Sequence, residues 1–410
     1  MPEPTSPPRP LMDRRIVLGV TGSIACYKAA DLASKLAQAG AQVDTILTRA
    51  ATEFIKPLTF QSVTGRRAYV DDDLWGSEAH VLHIGLAHGA DLLLIAPASA
   101  HTLAKLAQGT AEDLLSVTAL AAICPLVIAP AMDAGMYSHP ATQANVDILL
   151  QRGAHFVGPE EGHLASGLVA KGRMCEPAEI LGRVRYLLTR DGRLQGRKFV
   201  VTAGGTRERL DPVRFISNRS SGKQGYAIAQ AALDAGAEVV LVTAARLPCP
   251  AGARCVEIDS AQEMHDAVLQ ETTDADVLVM AAAVADFRPA EPAEHKIKKA
   301  DGVPTTVLTR NPDILLDVAH EREKTGMPAV VVGFAAESRD LLENARTKLE
   351  KKGLSMIVAN DIGATDAGFA VDTNRVTVMA DDGTTETLPL MSKEAVAEQI
   401  VERVADRLGA

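Results

Sequence analysis

The sequence predicts an α/β protein of two consecutive domains, each built on a parallel sheet, and three observations carry that expectation. Short β-branched runs alternate with helical stretches along the chain; a strand, glycine turn and helix occur together twice, from Val17 to Ala50 and from Lys198 to Thr243; and a polar, Gly-containing segment, Asp191 to Gln195, lies between the two copies. Continuous apolar strands separated by helices belong to sheets covered on both faces. A repeated opening implies a repeated α/β unit. In each copy the second strand follows a matching turn, Ala39-Gly40-Ala41 or Ala235-Gly236-Ala237, and ends in Thr48 or Thr243.

The first residues, MPEPTSPPRP, are Pro-rich and lack the apolar core of a signal peptide, so residues 1–14 read as a disordered tail. Apolar runs at Ile16 to Val20, Val43 to Leu47, Leu92 to Ala96 and Leu126 to Ala129 are the expected strands of a domain over residues 15–190. Ligands of such sheets sit beyond the carboxyl ends of the strands. Those ends are Thr21-Gly22-Ser23, Thr48-Arg49, Pro97-Ala98-Ser99 and Pro130-Ala131-Met132. Two strands that finish in Pro-Ala suggest a flat ligand lying against the backbone. Leu114 to Met132 carries no charge, but Pro125 and Pro130 divide it into a helix and a buried strand, which excludes a membrane span there.

The second domain, residues 191–410, opens on Phe199, Val200 and Val201, turns at Ala203-Gly204-Gly205, and is expected to run through a long polar loop to a helix from Tyr226. That loop, RERLDPVRFISNRSSGKQG, sets Arg207, Arg209, Arg214, Arg219 and Lys223 among Ser217, Ser220 and Ser221. Glycines free backbone N–H groups to face an anion, and a helix N-terminus adds partial positive charge, so the composition suits a polyphosphate. Neither glycine turn satisfies GxGxxG. Gly222-Lys223 lacks the earlier Gly and following Ser/Thr of a Walker A loop, so a plain dinucleotide fold and a P-loop NTPase are both demoted. Further strands are expected at Val239 to Thr243, Val277 to Ala281, Val330 to Phe334 and Met356 to Val358. A hairpin around Asp382-Gly383 and an amphipathic helix to residue 408 complete the domain.

Composition narrows the function. A net charge of -10 over 410 residues disfavours a general nucleic-acid binder. Five cysteines, Cys26, Cys124, Cys175, Cys249 and Cys255, are odd in number and form no CxxC, which argues against a disulfide framework or zinc site and for a reducing cytoplasm.

Taken in order, GVTGSIACYKAADL, LTRAA, HIGLAHGADLLLIAPASAHTLAK, APAMDAGMY, VTAGGTRERLDPVRFISNRSSGK, AAAVADFRP, KIKK, NPDI, VGFAAE and AND resemble the bifunctional coenzyme A biosynthesis flavoproteins. In these, phosphopantothenate-cysteine ligase is joined to phosphopantothenoylcysteine decarboxylase. The resemblance covers the chain from about Arg15 to the last helix. It implies a flavodoxin-like, three-layer FMN decarboxylase domain that assembles as trimers, followed by a Rossmann-like, dimeric ligase domain that uses CTP and Mg2+. The partners implied are phosphopantothenate, cysteine and CTP, joined through an acyl-cytidylate and then decarboxylated to phosphopantetheine. FMN oxidises the cysteinyl thiol toward a thioaldehyde, so that loss of the carboxylate no longer leaves an unstabilised carbanion, and afterwards returns the electrons.

By the same resemblance Gly22 and Ser23 take the FMN phosphate, Thr48 and Phe54 the ribityl side, and Pro97, Ala98, Ser99 and Thr102 the ring. His83 is the catalytic base, with His80 and His88 nearby in sequence, and Asp133, Met136 and Ser166 face the decarboxylation substrate. In the ligase half Asn218 holds the acyl-cytidylate and Lys296 acts on it. Gly204, Gly205, Asp286, Pro312, Asp313, Ile314, Phe334, Lys348 and Lys352 bind CTP or the acid; spacing alone makes Lys348 and Lys352 a solvated helix face. Three positions depart from the family pattern. His101 and Asp133 stand where Asn is common, and Ser166 where a flap cysteine donates a proton; Cys175, nine residues on, is a substitute donor only if the flap folds back. The competing readings are a flavin decarboxylase of another cysteine-ended substrate, a flavin prenyltransferase, and an electron carrier of the flavodoxin type. The carrier fits poorly with 3% aromatic residues and the single Trp75.

Overall fold

The computed structural model describes residues 9–75, 79–298, 305–337, 341–361 and 373–410. The chain divides into two compact units, Arg9–Leu188 and Thr189–Ala410. None of the described helices is long and apolar enough to cross a membrane.

The first unit runs β1 (Arg15–Val20), α1 (Cys26–Gln38), β2 (Gln42–Leu47), α2 (Arg49–Thr52), α3 (Pro57–Thr64), β3 (Ala68–Val70), α4 (Ala79–Gly89), β4 (Leu92–Ala98), α5 (Ala100–Gln108) and α6 (Leu114–Ala121). It continues through β5 (Leu126–Pro130), α7 (Ala134–Ser138), α8 (Pro140–Gln151), β6 (His155–Phe156), the antiparallel pair β7 (Glu160–His163) and β8 (Val169–Arg173), and α9 (Pro177–Thr189). The six-stranded sheet has the order β3-β2-β1-β4-β5-β6, and its strands are parallel. Ile16, Leu18 and Val20 pack with Leu32 and Leu36 of α1 on one face. Val17 and Ile95 pack with Leu103, Leu114 and Leu115 on the other. With both faces covered, every position of β1 beyond Arg15 must be apolar or small, which is why it reads as an unbroken run.

The expected tail proves too long. Residues 1–8 lie outside the described residues, but Leu11 is fully buried in the core and its N–H donates to Ala39 O at 3.0 Å. One apolar residue past the Pro-rich stretch is enough to anchor the chain.

The second unit opens with β9 (Lys198–Ala203), β10 (Arg207–Arg209), β11 (Phe215–Ser217), α10 (Lys223–Asp234), β12 (Glu238–Thr243), β13 (Arg254–Glu257), α11 (Ala261–Glu271), β14 (Val277–Met280), β15 (Phe287–Pro289) and β16 (Leu308–Arg310). Then come α12 (Ile314–Thr325), β17 (Val330–Glu337), α13 (Leu341–Lys351), β18 (Met356–Asp361), β19 (Thr373–Asn374), β20 (Val376–Ala380), β21 (Thr385–Thr387), β22 (Met391–Ser392) and α14 (Lys393–Arg407). Its main sheet has the order β13-β12-β9-β14-β17-β18-β20-β21. Strands β13 to β18 pair in parallel, and the expected hairpin of β20 and β21 extends the edge in antiparallel sense. The strand order reverses between β9 and β14, where such sheets open a crevice.

Two expectations are corrected here. The polar loop is not irregular: β10 and β11 pair as an antiparallel hairpin, and α10 begins at Lys223 because Gly222, at φ 76°, supplies the left-handed turn that starts it early. Cys249 and Cys255 form a disulfide across a sharp loop, with Cα atoms 6.1 Å apart. Cys26, Cys124 and Cys175 remain thiols, so an odd total concealed one pair.

Candidate active sites

In the first unit the carboxyl ends of four strands are tied into one ledge. Thr21 Oγ1 donates to Pro97 O at 2.7 Å and accepts from Ser99 N at 2.9 Å, joining β1 to β4. Thr48 N donates to Val20 O at 3.0 Å, and Ala131 N to Ala98 O at 3.0 Å, which adds β2 and β5. Ser99 caps α5 by accepting from Thr102 N, and Thr48 caps α2 by accepting from Ala51 N. The N-cap residue of α1, Ala25, has no capping side chain, and the helix starts directly after the turn Thr21-Gly22-Ser23, whose Ser23 accepts from Ala25 N and Cys26 N. A Cβ on Gly22 would stand 2.6 Å from Ala50 Cβ, so only glycine lets this turn approach α2. An uncapped helix end beside a backbone ledge fits a planar ligand that carries a phosphate. Phe54 and Met136, both about half exposed, supply apolar surface.

His83 lies on α4, half-buried, and its Nδ1 is buried with no partner among the described residues. Buried ring nitrogens ordinarily find a partner, so this one is suited to meeting a ligand atom. The side chain of His80 lies outside the described residues, and His88 is exposed.

The β7–β8 hairpin reaches the same ledge. Met132 N donates to Gly172 O at 3.0 Å, and at the hairpin tip Ser166 Oγ donates to Asp133 Oδ2 at 2.7 Å. The bonds from Ser166 and from Gly135 N–H hold the Asp133 carboxyl below the usual carboxylate range. Two of the three departures from the family pattern thus bond each other, while the third, His101, is exposed on α5. Cys175 is fully buried, and burial, with Glu179 and Glu160 beside it, pushes its thiol up to about 12. Core packing explains that thiol and speaks against it as the proton donor. A separate cavity of about 350 Å³ at the opposite, amino ends of β4 and β5 contains none of the predicted site residues.

In the second unit a cavity of about 960 Å³ opens at the carboxyl ends of β14, β17 and β18. It gathers Asn218, Asp286, Pro312, Asp313, Ile314, Phe334, Lys348 and Lys352 from distant parts of the sequence. Asn218 Nδ2 donates to Val284 O at 3.0 Å, and Asn311 is bonded to both Ala285 O and Asp286 O, which fixes the loop carrying Asp286. Lys348 Nζ donates to Phe334 O at 2.7 Å, and Lys352 pairs with Asp313 at 3.0 Å. These lysines are half-buried and engaged, so the solvated-face reading of their spacing gives way. The lining carries Arg219, Lys223, Arg310, Lys348, Lys351, Lys352 and Lys393 against only Asp286 and Asp313, a strong local excess of positive charge on an acidic chain. Arg310, Lys351 and Lys393 were not singled out from the sequence. They carry no motif and are recognisable only once the strands bring them together.

Of the loop residues expected around a polyphosphate, Arg207, Arg209, Arg214 and Ser217 stand outside the lining; Arg207 and Arg209 pair with Asp259 instead, and Arg214 with Asp211. Gly204, Gly205 and Lys296 stand outside it too. A Cβ on Gly204 would meet Ala245 N at 2.5 Å and one on Gly205 would meet Asn218 O at 2.5 Å, so these glycines serve close backbone packing beneath the site. Lys296 is exposed, and the KIKK motif's Lys299 lies outside the described residues. Its neighbour Ile297 donates through N to Asp211 Oδ2 and accepts through O from Arg214, which ties the Lys296 loop to the β10–β11 hairpin just before Asn218. Burial opposes ionisation of Asp211, but bonds from the Val213 and Arg214 N–H groups, the Arg214 guanidinium and Ile297 N–H outweigh it and lower its pKa to about 2. Since the unfolded value is about 3.9, this contribution is complete above about pH 4 and disappears as pH falls toward 2. Asp211→Asn is therefore expected to be less stable than the parent at pH 7, with the gap narrowing between pH 4 and pH 2. Denaturant titrations across that range check it; a constant gap would contradict the assignment.

The DNA/pantothenate metabolism flavoprotein C-terminal domain family matches residues 194–408, and the Flavoprotein family matches residues 4–188. The coenzyme A biosynthesis bifunctional protein CoaBC of Bacillus subtilis (strain 168) is 44% identical over 399 residues, 96% of this chain and 97% of its own. The protein of the same name from Mycobacterium tuberculosis (strain ATCC 25618 / H37Rv) is 44% identical over 404 residues, 95% of this chain and 96% of its own. A crystal structure of the C-terminal domain of a CoaBC protein is 39% identical, with a TM-score of 0.45, and covers 53% of this chain and 99% of its own.

Proposed function

The chain belongs to the bifunctional coenzyme A biosynthesis flavoproteins, which join a ligase to a flavin-dependent decarboxylase, and on that footing we propose which of its side chains carry the two steps. Phosphopantothenate is ligated to cysteine, and the product is decarboxylated to phosphopantetheine. The observation that carries the ligase assignment is the cationic 960 Å³ cavity. A carboxylate becomes an acyl donor only when a phosphoanhydride gives it a leaving group, and the charge that develops on the phosphates needs fixed cations. Lys348 and Lys352 would hold the triphosphate of CTP, Asp286 and Asp313 are the lining carboxylates that would hold Mg2+ to offset its charge, and Phe334 and Pro312 to Ile314 shape the pocket for the nucleotide. Asn218, held against Val284 O, orients the acyl-cytidylate, and Lys296 on its tethered loop stabilises the charge as the cysteine amine attacks.

In the first unit the ledge of Gly22, Ser23, Thr48, Pro97, Ala98, Ser99 and Thr102, with Phe54, binds FMN. When bound, FMN supplies the removal and return of two electrons at the thiol carbon. His83 accepts the proton that this requires, and Asp133, Met136 and the Ser166 hairpin tip enclose the substrate and exclude water. The domains extend over residues 9–188 and 189–410, and the protein works as a cytoplasmic homo-oligomer, trimeric through the first and dimeric through the second. Exposed Ile24, Tyr27 and Leu58 on one unit and Val213, Phe215 and Phe287 on the other support this, because association would cover them.

The test supplies phosphopantothenate, cysteine, CTP and Mg2+ to the purified protein and identifies the products by mass. Pyrophosphate, CMP, carbon dioxide and phosphopantetheine are expected. Completing the reduction without a flap cysteine is part of the expectation, so a product two mass units lighter, the enethiol, would show that Ser166 cannot support that last proton transfer.

A further inference from the structure

We infer that Asn360 selects the base of the nucleotide by accepting a hydrogen bond from an exocyclic amino group, the group that distinguishes cytosine from uracil. This rests on reading the cationic cavity as the CTP site. Asn360 ends β18 and lines the cavity, yet it is only 9% exposed and its Oδ1 is buried with no partner among the described residues. A buried amide oxygen left unpaired is costly, and a ligand donor removes that cost.

The strand register says which part of a ligand lies there. Phe334 of β17 stands opposite Val358 of β18, and Asn360 follows two residues further on the same face. Adjacent strands lie about 4.8 Å apart and two residues advance about 6.6 Å, which puts the Phe334 and Asn360 Cα atoms about 8 Å from each other. Both side chains line the cavity. An aromatic face with an acceptor at that reach is a stacking platform with an edge reader. A pyrimidine lying on Phe334 turns its edge to Asn360. The amino group of cytosine donates to Oδ1, whereas the carbonyl of uracil at the same position sets one acceptor against another. The neutrality of the amide matters too, since a carboxylate here would add negative charge to a cavity that binds a polyanion.

Steady-state ligation by the full-length protein, with CTP or UTP as the varied substrate, tests this in the parent, Asn360→Ala and Asn360→Asp. The parent is expected to favour CTP in kcat/KM. In Asn360→Ala the CTP-to-UTP ratio is expected to fall about 10-fold or more, chiefly through loss of CTP efficiency. Asn360→Asp keeps the acceptor, so it is expected to lower both efficiencies while holding the ratio within about threefold of the parent. A parent that uses both nucleotides equally, or an Asn360→Ala variant in which both efficiencies drop by one factor, overturns the inference, because a merely structural residue moves both alike. A parent that releases no pyrophosphate from CTP overturns the ligase reading instead.

Discussion

His83→Asn is expected to abolish carbon dioxide release from supplied phosphopantothenoylcysteine, lowering the rate by about 10²- to 10⁴-fold, the usual worth of a positioned acid or base. Asparagine preserves size and hydrogen bonding but takes up no proton near neutral pH, so the substitution isolates that one capacity. The parent ring is suited to the task because its Nδ1 is shielded from water and has no partner among the described residues. Ligation is expected to continue at the parent rate, since every residue of the cationic cavity belongs to the other unit. Two assays on one preparation decide it: carbon dioxide from the supplied intermediate, and pyrophosphate from CTP. Retained decarboxylation would reduce His83 to a packing residue of α4.

Lys296→Gln is expected to have the opposite phenotype. Activation of the acid should proceed, the acyl-cytidylate should accumulate, and transfer to cysteine should slow by about 10²- to 10³-fold, the cost of removing one preorganised charge from a developing anion. The side chain is exposed, but its loop is fastened through Ile297 to Asp211 and Arg214, which lie in the hairpin turn preceding Asn218. Mass spectrometry of quenched reactions would detect the accumulated intermediate. Turnover at the parent rate would make Lys296 an ordinary surface residue.

The fold was legible because its strands are buried on both faces. An unbroken run such as that of β4 leaves helix as the only rival, and flanking Pro and Gly settle it. The Arg207–Ser217 hairpin was not legible, because its strands, Arg-Glu-Arg and Phe-Ile-Ser, are only three residues long, too short for an alternation to read. The ligands of the sites divide in the same way. Glycine turns and strand ends declare themselves in sequence, whereas Arg310, Lys351, Lys393 and Asn360 are single polar residues whose meaning arises from strand order. Likewise the Ser166–Asp133 bond spans 33 residues and depends on a hairpin folding back, and no local pattern encodes it. The disulfide of Cys249 and Cys255 was missed for another reason: counting cysteines says whether all can pair, not whether two do.

Among the described residues, each unit has hydrophobic core clusters of its own. For a geneticist such a chain is two cistrons written without a stop codon between them. A lesion in one half leaves the site residues of the other half intact. Two alleles that each fail alone, one disabled at His83 and one at Lys296, should therefore restore growth when carried in the same cell. Two alleles disabled in the same half should not.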